Sequence, residues 1–377
     1  METDINMYLE KAAVPEIIPG TLGSQVIFLA KNDPNALFMP GTVVIIGVPE
    51  SRGWEEGDCE DSPSKIREQL FALNPMAPAP QIIDAGNIVK GRDIMDTYHG
   101  MKIVISELTG KGCIPIIIGG SGDLVYGHYL ALQQEEWPGN YVWVDSKIQR
   151  PDKAEKWQKV LKSDKKNIFN YSHIGLQAHF VSPPSKLWRA KHFEIMRLSE
   201  CRKNLSETEP AFRDADFAGF SMNAVKYSDS PGNSDPGPNG FTGEEICQLS
   251  FYAGLSTRLK HFGIFDIIPS NDPFSISSQL AAQVIWYFLE GYAQRKNEMP
   301  EKDSAEIKKY IVYLSQESQE IVFYKSLYSE RWWMEVPRIK SDKKEVPILI
   351  ACSPADYESA CRQEIPDRWW RCFQKLN

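Results

Sequence analysis

Three short apolar runs constrain the fold of this chain most strongly. They are Thr42–Val48, Ile114–Ile118 and Tyr141–Val144, and β-branched or aromatic residues dominate each of them. A continuous apolar run of this length is typical of a strand buried on both faces, as in a parallel sheet. Helix-like segments such as Asp96–Lys111 and Gln279–Leu289 alternate with such runs. This order predicts a three-layer α/β/α fold with a mainly parallel sheet.

The two ends of the chain differ in residue pattern from the region between them. Residues 1–40 contain scattered prolines and predict an irregular N-terminal segment before an α/β domain at 41–298. Within the remaining residues, 299–377, Lys302–Ser315 is interpreted as a helix, and an antiparallel hairpin is expected after it. Four of the ten tryptophans lie in this C-terminal extension: Trp332, Trp333, Trp369 and Trp370. They are expected to form a small aromatic core or, alternatively, a surface for a protein partner.

Composition excludes several classes of function. The 377 residues carry a net charge of −8 without a long basic block, which argues against nucleic acid or an anionic membrane as a partner. No apolar run approaches the roughly 20 residues needed to cross a bilayer, and the N-terminus lacks a signal-peptide pattern. Seven cysteines without a CxxC pair favour reduced thiols and a cytoplasmic location.

Polar residues follow two of the apolar runs directly. Tyr141–Val144 is followed by Asp145, Ser146 and Lys147, and Ile118 is followed by the glycine-rich sequence GGSGD. The carboxyl ends of parallel strands are where open α/β sheets bind their ligands. The glycines can cradle a phosphate at a helix N-terminus, although a simple tight turn explains them equally well.

Six collinear stretches between about residues 42 and 292 resemble the ureohydrolase superfamily of arginases, agmatinases and formimidoylglutamases, with the formimidoylglutamases nearest in style. The stretches are IIGVPESRG with SPSKIRE, GCIPIIIGGSGDLVYG, VWVDSKIQ, SHIGLQ, GFSMNAVKYSDSPG with PNGFTGEE, and FDIIPSNDP. The resemblance implies an arginase-like fold. It also implies a pair of divalent ions that generate a hydroxide for attack on an amidine or guanidinium carbon.

The positions that correspond to the family's metal ligands carry unusual residues. The resemblance assigns ligand positions to Asp145, where the acid is kept, and to five substituted sites: Gly122, Lys147, Gln149, Asn223 and Val225. Pro269 falls where the resemblance implies a substrate-facing glutamate. Two dications need several anionic ligands. The sequence therefore predicts that the dimanganese site is lost, with no catalytic residue and no cofactor, and that the Lys147 ammonium balances Asp145.

These substitutions leave more than one function open. The leading prediction is a catalytically degenerate pseudoenzyme that binds or scaffolds a protein partner through the C-terminal aromatic region. The alternative is an active amidine hydrolase with a rearranged site. Asp123, His128 and Asp266 are a candidate pocket, and a displaced single metal near Asp145 would use Asp123 and His128 with Asp214 or Asp216. The favoured interpretation of His128, however, is an ordinary helix histidine packed or hydrated near the sheet edge. A third hypothesis is a sensor that binds an anion at Lys147. The sequence does not determine the oligomeric state.

Overall fold

The structure is a computed structural model, and the residues that it describes fall into ten stretches. They are 5–29, 38–53, 58–133, 138–148, 155–162, 168–180, 191–300, 306–314, 319–338 and 347–376. One candidate site residue, Gln149, lies outside them.

The main sheet has ten strands among the described residues, in the order β1-β4-β3-β5-β10-β9-β6-β7-β8, with β2 also paired to β4. All pairings except β1 with β4 are parallel. The strands are β1 Leu9–Glu10, β2 Val26–Phe28, β3 Val43–Gly47, β4 Ile82–Ile88, β5 Ile114–Ile118, β6 Gly139–Val144, β7 Ile168–Leu176, β8 Glu194–Arg197, β9 Phe217–Ser221 and β10 His261–Phe265.

Helices cover both faces of this sheet. The described helices are α1 Ser62–Leu70, α2 Ile94–Gly110, α3 Val125–Leu132, α4 Glu155–Lys162, α5 Leu198–Lys203, α6 Glu209–Arg213, α7 Gly243–Leu255, α8 Ile276–Ala293, α9 Pro354–Cys361 and α10 Asp367–Leu376. None of them is long and apolar enough to cross a membrane.

Strand β3 shows how the two layers form. Val43 and Ile45 belong to one apolar core with residues of α1, α7 and α8, whereas Val44 and Ile46 belong to a second core with residues of α2 and α3. Successive side chains of a strand point to opposite faces, so a wholly apolar strand needs a helical layer on each side. The predicted three-layer α/β/α fold is confirmed.

The N-terminal segment is more regular than its sequence suggests. Leu9 pairs with Ile88 in an antiparallel bridge, and Val26–Phe28 runs parallel to Ile82–Asp84. Both strands are only two or three residues long, which is too short for a periodic pattern to be visible in the sequence.

The C-terminal extension contains a second sheet, which is antiparallel, in the order β11-β12-β13-β14. Its strands are β11 Ile307–Leu314, β12 Gln319–Ser326, β13 Trp332–Val336 and β14 Ile348–Cys352. The helix predicted over Lys302–Ser315 is therefore wrong, because β11 pairs with β12 along its whole length. The expected hairpin is present, however, as the pairing of β12 with β13.

The tryptophans of the extension pack mainly against the strands and helices of the extension itself. Trp332, Trp333 and Trp369 are at most 7% exposed, whereas Trp370 is 45% exposed. Trp332 stacks against Tyr357 with ring centroids 4.7 Å apart. These contacts favour the aromatic-core interpretation, and a partner that binds this region stays a prediction.

One arginine of α6 joins the extension to the main sheet. Arg213 donates hydrogen bonds to the carbonyl oxygens of Trp332 (2.9 Å) and Cys352 (3.1 Å), which belong to β13 and β14. Its guanidinium also lies 4.7 Å from the centre of the Trp333 ring. The neighbouring Asp214 accepts a hydrogen bond from the Ala351 amide at 2.8 Å.

Candidate active site

Four adjacent strands bring the candidate residues to one edge of the main sheet. Strands β5, β10, β9 and β6 are neighbours and parallel, so the residues that follow their carboxyl ends lie side by side. These residues are the Gly119–Asp123 turn, Asp266, Asn223 and Asp145. The sequence-based expectation that polar residues gather at this edge agrees with the topology.

The glycine turn after β5 depends on backbone conformations that favour glycine. Gly119 and Gly120 have φ values of +83° and +72°, which a side chain would make costly. The amide of Gly120 donates to the Ser62 hydroxyl at 3.1 Å, and the amide of Gly122 donates to the Asp266 carboxylate at 2.7 Å. The turn therefore presents backbone N–H groups to neighbouring segments, and Gly122 holds Asp266 in place.

Asp266 lies at the centre of this edge. It is fully buried, and its second carboxylate oxygen accepts a hydrogen bond from the Ser221 hydroxyl at 2.6 Å. Its φ of +73° is unusual for a residue other than glycine. Burial raises its pKa to about 7, with further contributions from the negative charges of Asp123 and Asp235.

Asp145 and Asp123 are also buried. Asp145 accepts a hydrogen bond from the indole N–H of Trp143 at 3.2 Å, and burial together with the charge of Asp266 raises its pKa to about 8. Asp123 accepts hydrogen bonds from the Tyr98 and Ser121 hydroxyls, and burial raises its pKa to about 6. We refer to Asp123, Asp145 and Asp266 below as the carboxylate group.

Lys147 does not balance Asp145 as the sequence suggested. Its ammonium pairs with the carboxylate of Asp235 and lies 4.5 Å from the centre of the Phe180 ring. The side chains of Lys147 and Asp235 are 25% and 34% exposed. Only the backbone amide of Lys147 approaches Asp145, at 3.4 Å. The ion pair thus lies at the solvent-facing side of the edge, while the carboxylate group lies beneath.

Asn223 connects this ion pair to strand β9. Its side-chain oxygen accepts the backbone N–H of Asp235 at 2.8 Å, and its NH₂ group donates to the Ser234 hydroxyl at 3.0 Å. By contrast, Val225 is fully buried in the apolar core, and Pro269 begins a short 3-10 turn after β10. Neither offers a polar side chain to the carboxylate group.

His128 belongs elsewhere, so its assignment to the candidate pocket is corrected. Its ring stacks on Phe217 and His261, and its Nδ1 lies 2.8 Å from Nδ1 of His261. His261 and Phe217 begin strands β10 and β9, whereas Asp266 follows the opposite end of β10. Asp123 lies in the 3-10 turn Gly122–Leu124 that precedes α3. The side chains of Asp123 and His128 therefore do not share a helix face.

Several contributors to the site were missed from the sequence. Asp235 lies in the 228–240 loop, whose glycines, prolines and aspartates predict flexibility and whose family resemblance predicts a place near the cleft, but neither singles out Asp235 as the partner of Lys147. Tyr98, Trp143 and Ser221 were treated as ordinary helix or strand residues. Their roles depend on long-range contacts with the carboxylate group, for which a single sequence has no local signal.

The electrostatic balance of the site favours a cation. Within the described stretches, no lysine or arginine side chain donates to Asp123, Asp145 or Asp266. Uncompensated carboxylates are costly to bury. Oxygen atoms of this kind suit hard divalent ions and can also pair with an organic cation. In the described residues as they stand, however, no three His, Cys, Asp or Glu side chains already form a metal-holding group.

Comparison with known proteins places this edge in a family context. A model of the arginase family matches residues 41–290, which is more than half of the chain. The formimidoylglutamase of Streptococcus gordonii is 21% identical over 325 residues, covering 77% of this chain and 96% of that protein. The formimidoylglutamase of Streptococcus pyogenes serotype M5 is 24% identical, covering 73% and 92%.

Solved structures share the fold. Formimidoylglutamase from Bacillus subtilis superposes with a TM-score of 0.64 at 18% identity, covering 77% of this chain and 98% of that one. Oxidized Trypanosoma cruzi formiminoglutamase with Mn²⁺ gives a TM-score of 0.63 at 21% identity, covering 73% and 99%. Proclavaminate amidino hydrolase from Streptomyces clavuligerus also gives 0.63, at 18% identity, covering 76% and 100%.

These comparisons correct the prediction on cofactors. The sequence led us to expect no cofactor and a lost dimanganese site, but the similar Trypanosoma cruzi formiminoglutamase structure contains Mn²⁺. The expectation of no cofactor is therefore wrong. The comparisons also support the hydrolase alternative better than the pseudoenzyme prediction, since the relatives found are hydrolases and nothing in the residues that the structure describes shows a scaffold role.

Proposed function

The chain belongs to the arginase family, and we propose that it is a formimidoylglutamase-like hydrolase that cleaves the C–N bond of a linear amidine or guanidine at a rearranged site. The supporting relatives are covered over 92% or more of their length. The match is thus to whole proteins, and it includes the strands whose carboxyl ends form the candidate site. We also infer a cytoplasmic location from the free cysteines.

The carboxylate group is the observation that carries this proposal. Asp145 and Asp266 are at most 2% exposed and lack a cationic partner among the side chains that the structure describes. An amidinium or guanidinium is planar and positively charged, and its N–H groups match carboxylate oxygens. A substrate of this class would supply the charge that the site lacks, and its amidine carbon would be held at the sheet edge.

The donor chemistry of the site also fits a hard metal ion such as Mn²⁺. Carboxylate and amide oxygens are available from Asp145, Asp266, Asp123 and Asn223, and ligands of this type suit manganese. These residues would hold the ion in place of the histidine-containing set that the family resemblance implies, once the side chains turn from their present partners. When bound, such an ion lowers the pKa of water and offsets negative charge.

The protein's own residues would orient the substrate. The Lys147–Asp235 pair lies at the solvent-facing side, where the Lys147 ammonium would exchange Asp235 for a substrate carboxylate such as that of formimidoylglutamate. Asp145 and Asp266 would hold the amidine nitrogens beneath it. In the reaction, the water oxygen bonds to the amidine carbon and the bond from that carbon to the substrate amine breaks. One water proton goes to the departing amine and the other to the remaining nitrogen.

Product release from defined substrates tests the proposal. Purified protein is incubated with Mn²⁺ and N-formimidoyl-L-glutamate, agmatine or L-arginine, and formamide or urea is measured. We expect turnover of at least one substrate. Asp145→Asn is expected to lower kcat/KM by roughly 100-fold or more, in the range of losses seen when a positioned acid or base is removed.

A matched variant controls for a general effect of charge. Glu68→Gln removes one carboxylate that is 43% exposed on α1 and paired with Lys65, and it should retain wild-type kcat/KM. Absence of product from all three substrates, in a protein that is folded and loaded with Mn²⁺, would refute the hydrolase proposal. Equal activity of Asp145→Asn and Glu68→Gln would refute the assigned site.

A further inference from the structure

A cavity lies at the opposite edge of the main sheet, between that sheet and the C-terminal extension. Its volume is about 460 Å³, which is within the range of roughly 300–1,000 Å³ typical of small-molecule sites. Asn140, Phe169 and Glu194 line it from the amino ends of β6, β7 and β8. Strand β6 therefore begins at this cavity and ends at Asp145, so the cavity is separate from the candidate active site.

Basic side chains outnumber acidic ones around this cavity. Five basic residues line it, namely Arg258, Arg338, Arg368, Arg371 and Lys375, against two acidic residues, Glu194 and Asp214. The chain as a whole has a net charge of −8, so this local excess runs against the overall balance. A concave site lined by one sign of charge concentrates ligands of the opposite sign.

The internal ion pairs do not use all of this positive charge. Glu194 is shared by Arg371 at 2.8 Å and Arg368 at 3.4 Å, and Arg368 also pairs with Asp356 and, at 3.6 Å, with Glu207. Lys375 is different, since in the described part of the chain its ammonium meets the amide oxygen of Asn170 and the faces of two phenylalanine rings. Burial, followed by the charge of Arg371, lowers the pKa of Lys375 to about 8.

The cavity also has an apolar wall. Phe169, Val142 and Ile350 contribute apolar surface beside the basic side chains. The cavity therefore combines positive charge with a surface on which an apolar body can pack.

We propose that this cavity binds a small organic anion with a flat apolar body, whose anionic head pairs with Lys375 and Arg371 and whose body packs against Phe169. Carboxylates and phosphates share the chemistry that arginine and lysine recognise, so the head can be either. The cavity is independent of the proposed hydrolase activity, and its occupant need not be the substrate.

Matched probes separate the contributions of charge and shape. Binding of 2-naphthoate, 2-naphthyl phosphate and the neutral 2-naphthamide to the full chain is measured by titration calorimetry. We expect saturable binding of at least one anion, tenfold or more tighter than the amide. The stronger of the carboxylate and phosphate probes identifies the head group. Equal affinity for the anions and the amide, or no saturable binding, would overturn the proposal.

Variants locate the binding. Lys375→Gln should weaken anion binding at least tenfold, whereas Arg362→Gln should not change it, because Arg362 lies on the same extension with a side chain 60% exposed and paired to Glu364. Should Lys375→Gln fail to fold, Arg258→Gln at the exposed rim provides the second test, with a loss of about threefold or more expected. Unchanged affinity in the folded variants would refute this location.

Discussion

Arg67 offers the sharpest test of how α1 supports the candidate site. Its guanidinium is 1% exposed and donates to both carboxylate oxygens of Asp84, at 2.7 and 3.0 Å, as well as to Asn87 and the Gly86 carbonyl oxygen. Asp84 itself is 4% exposed. The arginine of the SPSKIRE stretch thus fastens α1 to β4, and the same helix supplies the Ser62 hydroxyl that accepts the Gly120 amide.

Arg67→Met removes one member of this buried pair and leaves the Asp84 charge without its partner. Breaking a buried pair in this way costs about 3–5 kcal/mol. For a protein of this length the unfolding entropy is roughly 0.8 kcal/mol per degree, so the melting temperature should fall by roughly 4–6 °C. Urea unfolding followed by circular dichroism measures the free energy directly as a shift in midpoint at constant slope.

Two further variants make the measurement specific. Lys65→Met, two residues away on the same helix, removes an exposed ion pair with Glu68 and should cost no more than about 1 kcal/mol. In the double variant Arg67→Met/Asp84→Asn the unpaired charge is gone, so the loss should be smaller than the sum of the single losses. If Arg67→Met proves as stable as Lys65→Met, the argument from the buried pair is refuted.

Three other perturbations have defined outcomes. Burial lowers the pKa of His261 to about 3 and that of His128 well below its usual value. The folded state therefore keeps both rings neutral, whereas the two histidines of the unfolded chain take up protons below about pH 6.5. The free energy of unfolding consequently decreases as the pH falls through that value. Each ring contributes about 2 kcal/mol of this loss between pH 7 and 5. In the double variant His128→Phe/His261→Phe, the unfolding free energy measured by urea titration should therefore decrease less steeply with falling pH. A pH dependence identical to that of the wild type would contradict the burial argument. Lys147→Met should lower the unfolding free energy by only about 1 kcal/mol or less, because its partner Asp235 is one-third exposed; a loss above about 3 kcal/mol by the same method would mean that Lys147 balances the carboxylate group after all. Gly291→Ala should destabilise the protein by about 2 kcal/mol or more, since the added carbon would overlap the Phe251 carbonyl oxygen where α7 and α8 cross, whereas Gly110→Ala, with open space around the added carbon, should be nearly neutral in thermal unfolding.

The sequence predicts those features that depend on strong local patterns. The apolar runs at β3, β5 and β6 gave the parallel sheet, because strands buried on both faces leave an unambiguous composition. The collinear stretches supported the family, and the strand-end rule placed Asp145 at the carboxyl edge of the sheet, whereas Asp266 entered only as a member of the candidate pocket. Each of these predictions concerns where a segment or residue lies in the fold.

The features that the sequence missed depend on contacts between distant residues. The sequence predicts a helix over Lys302–Ser315 because a polar start is followed by a more apolar part, whereas pairing with β12 determines that IKKYIVYL forms a strand. His128 was expected near Asp123 from spacing alone, but its partner is His261, 133 residues away. Lys147 has its counter-charge in a loop almost ninety residues later in the chain, and local reasoning therefore assigned it to the nearest acid.

The contacts of Arg213 with the extension limit how far this protein can be shortened. Its two hydrogen bonds to β13 and β14, and the bond from the Ala351 amide to Asp214, are contacts that the arginase-family region cannot replace by itself. Expression of residues 41–298 alone would uncover Arg213 and Asp214 together with Glu194, whose arginine partners lie on α10. The last eighty residues are thus packed against the side of the main sheet. A protein shortened to residues 41–298 would expose charged and apolar side chains that are buried in the intact protein.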